Sequence, residues 1–301
     1  MDLYVKNFSV RLTDNTKTDS FSNNGETILE IVSDNNLFKV NPSVIIADPF
    51  LFVNNGELFL FYEKQVRWYG RGYICMRKTS DLNTWTDEAI VLVEPFHLSF
   101  PYVFEDKGHI YMVPETGRDG SIRLYECTDT SLANWSLVTK LINDGKDWVD
   151  SSIIEDNGKY YLFSAVKETQ KPYEQRLFIS DNIAGPYTEH PCSPIYIGND
   201  YGRNAGSVFY YDNKWIRPTQ DCSVGYGDNV SLFSINKLSA TEYQEIPLKK
   251  DILYRMGKYK EGGHQFNHVV FKGRTIVATD FKTKNYNIIE FVRRLLRKVK
   301  G

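Results

Sequence analysis

Several things this chain has little of limit what it can be. Its 301 residues include four cysteines, Cys75, Cys127, Cys192 and Cys222. They are widely spaced and form no CxxC pair, which argues against a disulfide framework or a cysteine zinc site and for reduced core thiols. No apolar run approaches the ~18 residues that a spanning helix needs. Neither sign of charge dominates: 36 Lys and Arg stand against 38 Asp and Glu, a net charge of −2, which excludes a general nucleic-acid binder. The opening MDLYVKNFSVRLTDN lacks the apolar core of a secretory leader, so the expected compartment is the cytoplasm. No GxSxG elbow occurs. The glycine turns GRDG (117–120) and GYGDN (225–229) do not lead into helices, so neither reads as a phosphate loop.

Aromatic residues are abundant. They make up 14% of the chain, with 20 Tyr, 18 Phe and 5 Trp. Tyr and Phe favour strands. Tyr and Trp also offer a sugar ring a flat apolar face with a polar handle.

These aromatics recur in a repeat. DPFLFVNNGELFLFYE (48–63), FPYVFEDKGHIYMVPE (100–115), DSSIIEDNGKYYLFSA (150–165), AGSVFYYDNKWIRPTQ (205–220) and HQFNHVVFKGRTIVATD (264–280) each read as a hairpin with a polar or glycine turn. A weaker repeat lies between them, seen in YICMRKTSDLNTW (73–85) and SIRLYECTDTSLANW (121–135). Each unit therefore holds roughly four strands at a period of about 50 residues, the signature of a β-propeller. The expected fold is all-β: a five-bladed propeller forming one domain over 1–301, with ILEIV (28–32) supplying an outer strand that closes the ring. Trp85 and Trp135 recur at matching places and read as packing between blades.

The last stretch, NIIEFVRRLLRKVK (287–300), reads as a short amphipathic helix. Ile288, Val292, Leu295 and Val299 share one face, and Arg293, Arg294, Arg297 and Lys298 lie largely on the other. It either caps the propeller edge or touches an anionic membrane.

The repeat places equivalent positions in a ring at one mouth of the channel. At the start of the first strands these are Asp48, Phe100, Asp150, Ala205 and either His264 or Gln265. At the end of the second strands they are Glu63, Glu115, Ala165, Gln220 and Asp280. Asp48 in VIIADPF and Asp150 in WVDSSII sit inside apolar runs, where an unpaired carboxylate costs several kcal/mol. Each either caps a turn or pairs with an arginine, or it does chemistry. Paired carboxylates in an aromatic-lined funnel suit glycoside chemistry, one acting as base or nucleophile and the other as proton donor.

Arg203, Arg217, Gln220 and Asp221 cluster around the fourth hairpin. The arginines suit either a phosphate or acidic-sugar ligand, such as a nucleotide-sugar diphosphate, or salt bridges to the ring of acids. Trp68 and Tyr69 lie in the connection after the first hairpin and could stack on a sugar. His264 and His268, four apart in a strand, should face the same side. Without a cysteine or third histidine nearby they make a poor zinc site, but a calcium or sodium ion near His264 fits.

The ADPF at 47–50, VDSSIIEDNGKYYLFSA, the SDLNTW pattern and the GGH at 262–264 resemble the five-bladed propellers of glycoside hydrolase families 43, 32 and 68. The resemblance implies that Asp48 is a catalytic base, that Asp150 orients the acid and tunes its pKa, and that His264 lies near the channel axis. The general acid of that family is a glutamate at the start of blade four, where this chain has Ala205. Glu115 is then the first candidate for the acid and Glu63 the second. FPYVFEDKGHIYMVPET, RNAGSVFYYDNKWIRPTQDCSVGYG and EGGHQFNH resemble more closely the propeller found beside plant glucosamine inositolphosphorylceramide transferases and its bacterial relatives. That likeness implies glycan or glycolipid assembly. The expectation is a carbohydrate-active propeller that cleaves or transfers a glycosyl unit. The alternatives are a glycosyltransferase using a nucleotide-sugar or a lipid-linked acceptor, and a non-catalytic sugar binder. Peripheral contact with the inner membrane surface would run through the basic helix.

Overall fold

The computed structural model describes residues 4–33 and 44–300, with Asn285 and residues 297–300 described through their backbone alone. The strands form five antiparallel sheets arranged in chain order. Blade one comprises Val44–Asn54, Glu57–Val66, Gly72–Thr79 and Ala89–Leu92, and blade two Ser99–Asp106, His109–Glu115, Ser121–Cys127 and Trp135–Asn143. Blade three starts with Trp148–Asp156 and Lys159–Val166, and blade four with Phe209–Tyr211 and Lys214–Asp221. Blade five combines both ends of the described chain. Its inner strands are Phe266–Phe271 and Arg274–Tyr286, and its outer strands are Tyr4–Asp14 and Glu26–Ile31. The outer strand expected from ILEIV is present. Tyr4–Asp14, which carries no hairpin repeat, runs antiparallel to the last strand from Tyr4↔Tyr286 to Asp14↔Ile276.

Alternation along each strand sends apolar side chains to both faces of a blade, and each face meets the next blade. Five buried clusters result. Phe50, Phe61 and Phe100 fill the space between blades one and two, and Val113, Leu124 and Leu162 that between two and three. Phe163 and Ile235 join three to four, Ile216 and Phe266 join four to five, and Leu12, Ile276 and Leu60 join five to one. Trp135 packs edge-on to Phe61 of the neighbouring blade at 6.1 Å, and Trp85 packs on the cluster between blades five and one.

The innermost strands are also tied to one another by hydrogen bonds across all five blade junctions. Phe100 N–H donates to Asp48 Oδ2 (3.0 Å), Tyr102 Oη–H to Ile153 O (2.8 Å), Val208 N–H to Ser152 Oγ (2.9 Å), Phe266 N–H to Ala205 O (2.6 Å) and Leu51 N–H to Asn267 Oδ1 (2.9 Å). One of these ties is made by a candidate catalytic carboxylate, so the ring and the site share atoms.

The helix Ile288–Lys300 follows the last strand and starts with Asn287 Oδ1 accepting Glu290 N–H. Its polar groups hold it in place: Glu290 is buried and pairs with Arg293, and Arg294 Nη2 donates to Tyr4 O at 2.9 Å. Ile288, Val292, Leu295 and Leu296 are exposed. Capping of the propeller edge by the apolar face is therefore not what this helix does. The side chains of Arg297, Lys298 and Val299 lie outside the described residues. Among the described residues, no helix is long and apolar enough to cross a membrane.

Candidate functional site

Blades one, two and three start with the same bulge. Ala47↔Glu63, Ser99↔Glu115 and Val149↔Ala165 are register partners. The next pairs are Phe50↔Phe61, Tyr102↔Val113 and Ser152↔Phe163, so two residues on the first strand oppose one on the second. The first bulged residue is left-handed each time: Asp48 at φ 53°, Phe100 at φ 47° and Asp150 at φ 54°. A non-glycine residue there carries on the order of 1–3 kcal/mol of strain, and bulges re-aim side chains near active sites. The bulge explains how a residue in an apolar run presents a carboxylate to the axis.

Blade four breaks the pattern. Its first regular strand starts only at Phe209, and Ala205 is part of the core. Its contribution to the mouth is Arg203. Nε and Nη2 of that guanidinium donate to Asp150 Oδ2 (2.5 Å) and Oδ1 (3.0 Å), and Nη2 stands 3.7 Å from Glu115 Oε2. Gln220 Nε2 donates to Asp150 Oδ2 at 2.9 Å. A cation thus replaces the acid that the hydrolase resemblance requires at blade four.

Blade five supplies a charge clamp. His264 Nε2 lies 3.2 Å from Asp48 Oδ1, and Nδ1 lies 2.5 Å from Asp280 Oδ2. Asp280 Oδ1 accepts the backbone N–H of His264 (2.8 Å) and of Gln265 (3.1 Å). Gly263 permits this approach, since a Cβ there would meet Asp280 O at 2.2 Å.

Asp48, Glu63, Glu115 and Arg203 line one cavity of about 540 Å³, with His97, Arg118, Asp147, Lys167 and Tyr226 on its walls. Asp150, Gln220, His264 and Asp280 lie behind this lining as its support. The electrostatics separate the acids. Burial works to raise the Asp48 carboxyl, but the charge and hydrogen bond of His264 outweigh it and hold Asp48 below the ordinary aspartate value. Burial would lower His264, yet Asp280 and Asp48 push it well up and favour the imidazolium. Glu115 is pushed up to about 8 by burial and by the nearby Asp150 charge, against Arg203. Burial, then the charges of Asp48 and Glu115, push Glu63 well up as well. Burial likewise raises Asp150 despite its Arg203 fork. The cavity therefore sets Asp48, held low, beside Glu63 and Glu115, both pushed up.

Four candidates lie elsewhere. Arg217 is fully buried and forks onto Glu245 at 2.8 and 2.6 Å, away from this cavity, so of the two arginines only Arg203 reaches the mouth. Trp68 is exposed on its loop and does not line the cavity. Asp221 Oδ1 accepts Ser223 N–H at 2.8 Å and shapes a turn. His268 packs on Phe209, 4.4 Å between ring centroids, rather than beside His264, and burial lowers it to about 4.

Sequence reasoning missed His97, Tyr173 and Tyr226. His97 Nδ1 accepts Gly72 N–H at 2.8 Å, so Nε2 carries the proton and faces Glu63 Oε1 at 3.6 Å. The Tyr173 and Tyr226 rings flank the Arg203 guanidinium at 5.0 and 5.3 Å. Both tyrosines sit in connections between the second and third strands of their blades, as Trp68 does. That shared position was the available signal.

The five-bladed propeller defines the class of fold, one that glycoside hydrolases also use. Among solved structures, a family 117 glycoside hydrolase from Zobellia galactanivorans matches with a TM-score of 0.56 and 12% identity, over 84% of this chain and 88% of that one. A family 43 protein from Bacillus licheniformis matches at 0.54 and 16%, over 75% and 48%. At such identities the likeness is one of fold. Residues 26–282 match the family model "Glucosamine inositolphosphorylceramide transferase 1, N-terminal", and the chain belongs to that family. The rice (Oryza sativa subsp. japonica) glucosamine inositolphosphorylceramide transferase 1 is 35% identical over 235 residues, 76% of this chain and 31% of that protein. The chain thus spans about a third of the length of the curated relatives it matches.

Proposed function

We propose that the cavity handles a glycosyl unit by acid–base chemistry, with Asp48 as base and Glu115 as proton donor. What supports this most is that two carboxyls line one cavity in opposed surroundings, Asp48 held low by His264 and Glu115 pushed up to about 8 by burial and the Asp150 charge. The bond between the anomeric carbon and the leaving oxygen breaks, and its electron pair stays with that oxygen, which takes the Glu115 proton. An incoming hydroxyl adds to the anomeric carbon and gives its proton to Asp48. His264 stabilises the Asp48 charge, and Arg203 with Asp150 positions Glu115. Membership of a family named for a transferase favours an acceptor hydroxyl over water as the incoming group.

Asp48, His264 and Asp280 also offer donor atoms within 4.8 Å of one another, and a calcium or sodium ion at this set is a separate proposal. It would require His264 neutral, because an imidazolium has no lone pair to offer a cation. The exposed apolar face of the helix supports peripheral contact with an anionic membrane from the cytoplasmic side.

The test of the main reading is turnover and thermal shift of wild type, Asp48→Asn and Glu115→Gln against free sugars and nucleotide-sugars. A saturating ligand at 100 times its Kd adds about 2.7 kcal/mol of stability. Turnover lost in both variants with sugar binding kept is the expected result. Sugar binding without turnover by wild type would leave a binding module.

A further inference from the structure

Arg203 and Arg217 are both committed to carboxylates inside the protein, and the other cations at the acidic mouth, Arg71, Arg118 and Lys167, stand among Asp48, Glu63, Glu115 and Asp147. A site richer in cations than in acids lies next door. A second cavity, of about 880 Å³, opens on the other side of Tyr226 and is lined by Lys6, Arg67, Arg255, Lys260 and Lys282. Among the described residues, only Asp228 and Glu261 oppose them on its walls. Asp228 is taken by Arg255 at 2.9 Å, and Glu261 is shared between Lys6 (3.1 Å) and Lys284 (3.0 Å). Among the described residues, Arg67, Lys260 and Lys282 have no carboxylate within ion-pair reach.

Lys282 is the most telling of these. It is 6% exposed, and its Nζ donates to the backbone carbonyl of Tyr226 at 2.9 Å. An ammonium has three donors, so two remain for a ligand. A buried cation with a single neutral partner is costly unless an anion joins it. Arg67 is in a similar position: Nε goes to Asn7 Oδ1 (2.8 Å) and Nη2 to Lys6 O (2.6 Å), both neutral acceptors.

We infer that this basic cavity binds a phosphate group of the ligand whose glycosyl end reacts at the acidic cavity. Tyr226 is the shared wall, with its ring 5.3 Å from the Arg203 guanidinium and 4.9 Å from the His264 ring. One molecule can therefore place a phosphate on one side of it and a sugar on the other. Cations forking onto phosphate oxygens supply the affinity. The inference extends the glycosyl-handling reading above, but it is tested by binding alone, so the two fail separately.

Inorganic pyrophosphate, uridine diphosphate, and phosphatidylcholine vesicles with and without phosphatidylglycerol are titrated into wild type, Lys282→Met, Lys260→Glu and Asp48→Asn. Pyrophosphate should bind wild type and Asp48→Asn alike, and at least tenfold more weakly to each lysine variant. Uridine diphosphate binding more tightly than pyrophosphate, with the same dependence on the lysines, identifies a nucleotide as the source. Lysine-dependent retention on phosphatidylglycerol vesicles identifies a lipid phosphate. Lys282→Met should melt at or above wild type, and the exposed Lys260→Glu should fold normally. Absence of pyrophosphate binding to wild type, or binding by either lysine variant as tight as by wild type, overturns the proposal.

Discussion

The two cavities either side of Tyr226 handle charge in opposite ways. In the acidic one the most deeply buried charges pair inside the protein: His264 sits between Asp48 and Asp280, and Arg203 forks onto Asp150. In the basic one, Lys282 and Arg67 meet only neutral acceptors. A charge answered internally sets pKa values and geometry. A charge left unanswered waits for a ligand. On the proposed reading, chemistry belongs to the first cavity and recognition to the second.

The largest expected effect comes from removing the clamp. His264→Ala leaves Asp48 and Asp280 buried and uncompensated, which should cost about 3–5 kcal/mol of stability and abolish turnover. Denaturant midpoints and turnover report both losses. If Asp48 stays ionised and active without His264, the acidic cavity does not work as described.

Arg203 and Arg217 sharpen the comparison, because both are buried and carboxylate-bound but only Arg203 reaches the mouth. Arg203→Met and Arg217→Met should each lose on the order of 3–5 kcal/mol. Sugar binding should weaken in the first alone, as titration of the folded variants at low temperature would show.

A comparable effect is expected from pH. Glu115, raised to about 8, is protonated in the folded protein while its unfolded counterpart ionises near 4.5. Folding stability should therefore decline from about pH 4.5 to about pH 8, and turnover should fall above pH 8 as the donor loses its proton. Glu115→Gln should flatten the stability profile over that window. An unchanged profile in that variant would assign the proton to another group.

The smallest effect belongs to Trp68→Ala. Trp68 is 52% exposed and off the cavity wall, so stability should change by less than about 0.5 kcal/mol and turnover by less than about twofold. A large loss of sugar binding would show that this loop closes over the ligand.

Much of this architecture is legible in the sequence. The hairpin repeat, with its turns at Gly56, Gly108 and Gly158, gives the number of blades and places Asp48, Glu63, Glu115 and Asp280 near one mouth. Hidden from it are the left-handed bulge that aims Asp48 and Asp150, the diversion of Arg217 to Glu245, and the outward turn of the helix's apolar face. His97 and Tyr226 looked like connecting residues because loops carry no periodic pattern to read.

The division has a physical cause. Hydrophobic alternation and turn chemistry act over a few residues, so the order of residues alone determines that hairpins form and that they repeat. Which buried charge meets which partner depends on distances between blades. Asp48 and His264 are 216 positions apart and meet only because the ring closes. The protonation of the acids and the unanswered charge of Lys282 follow from that closure, and the tertiary structure alone decides them.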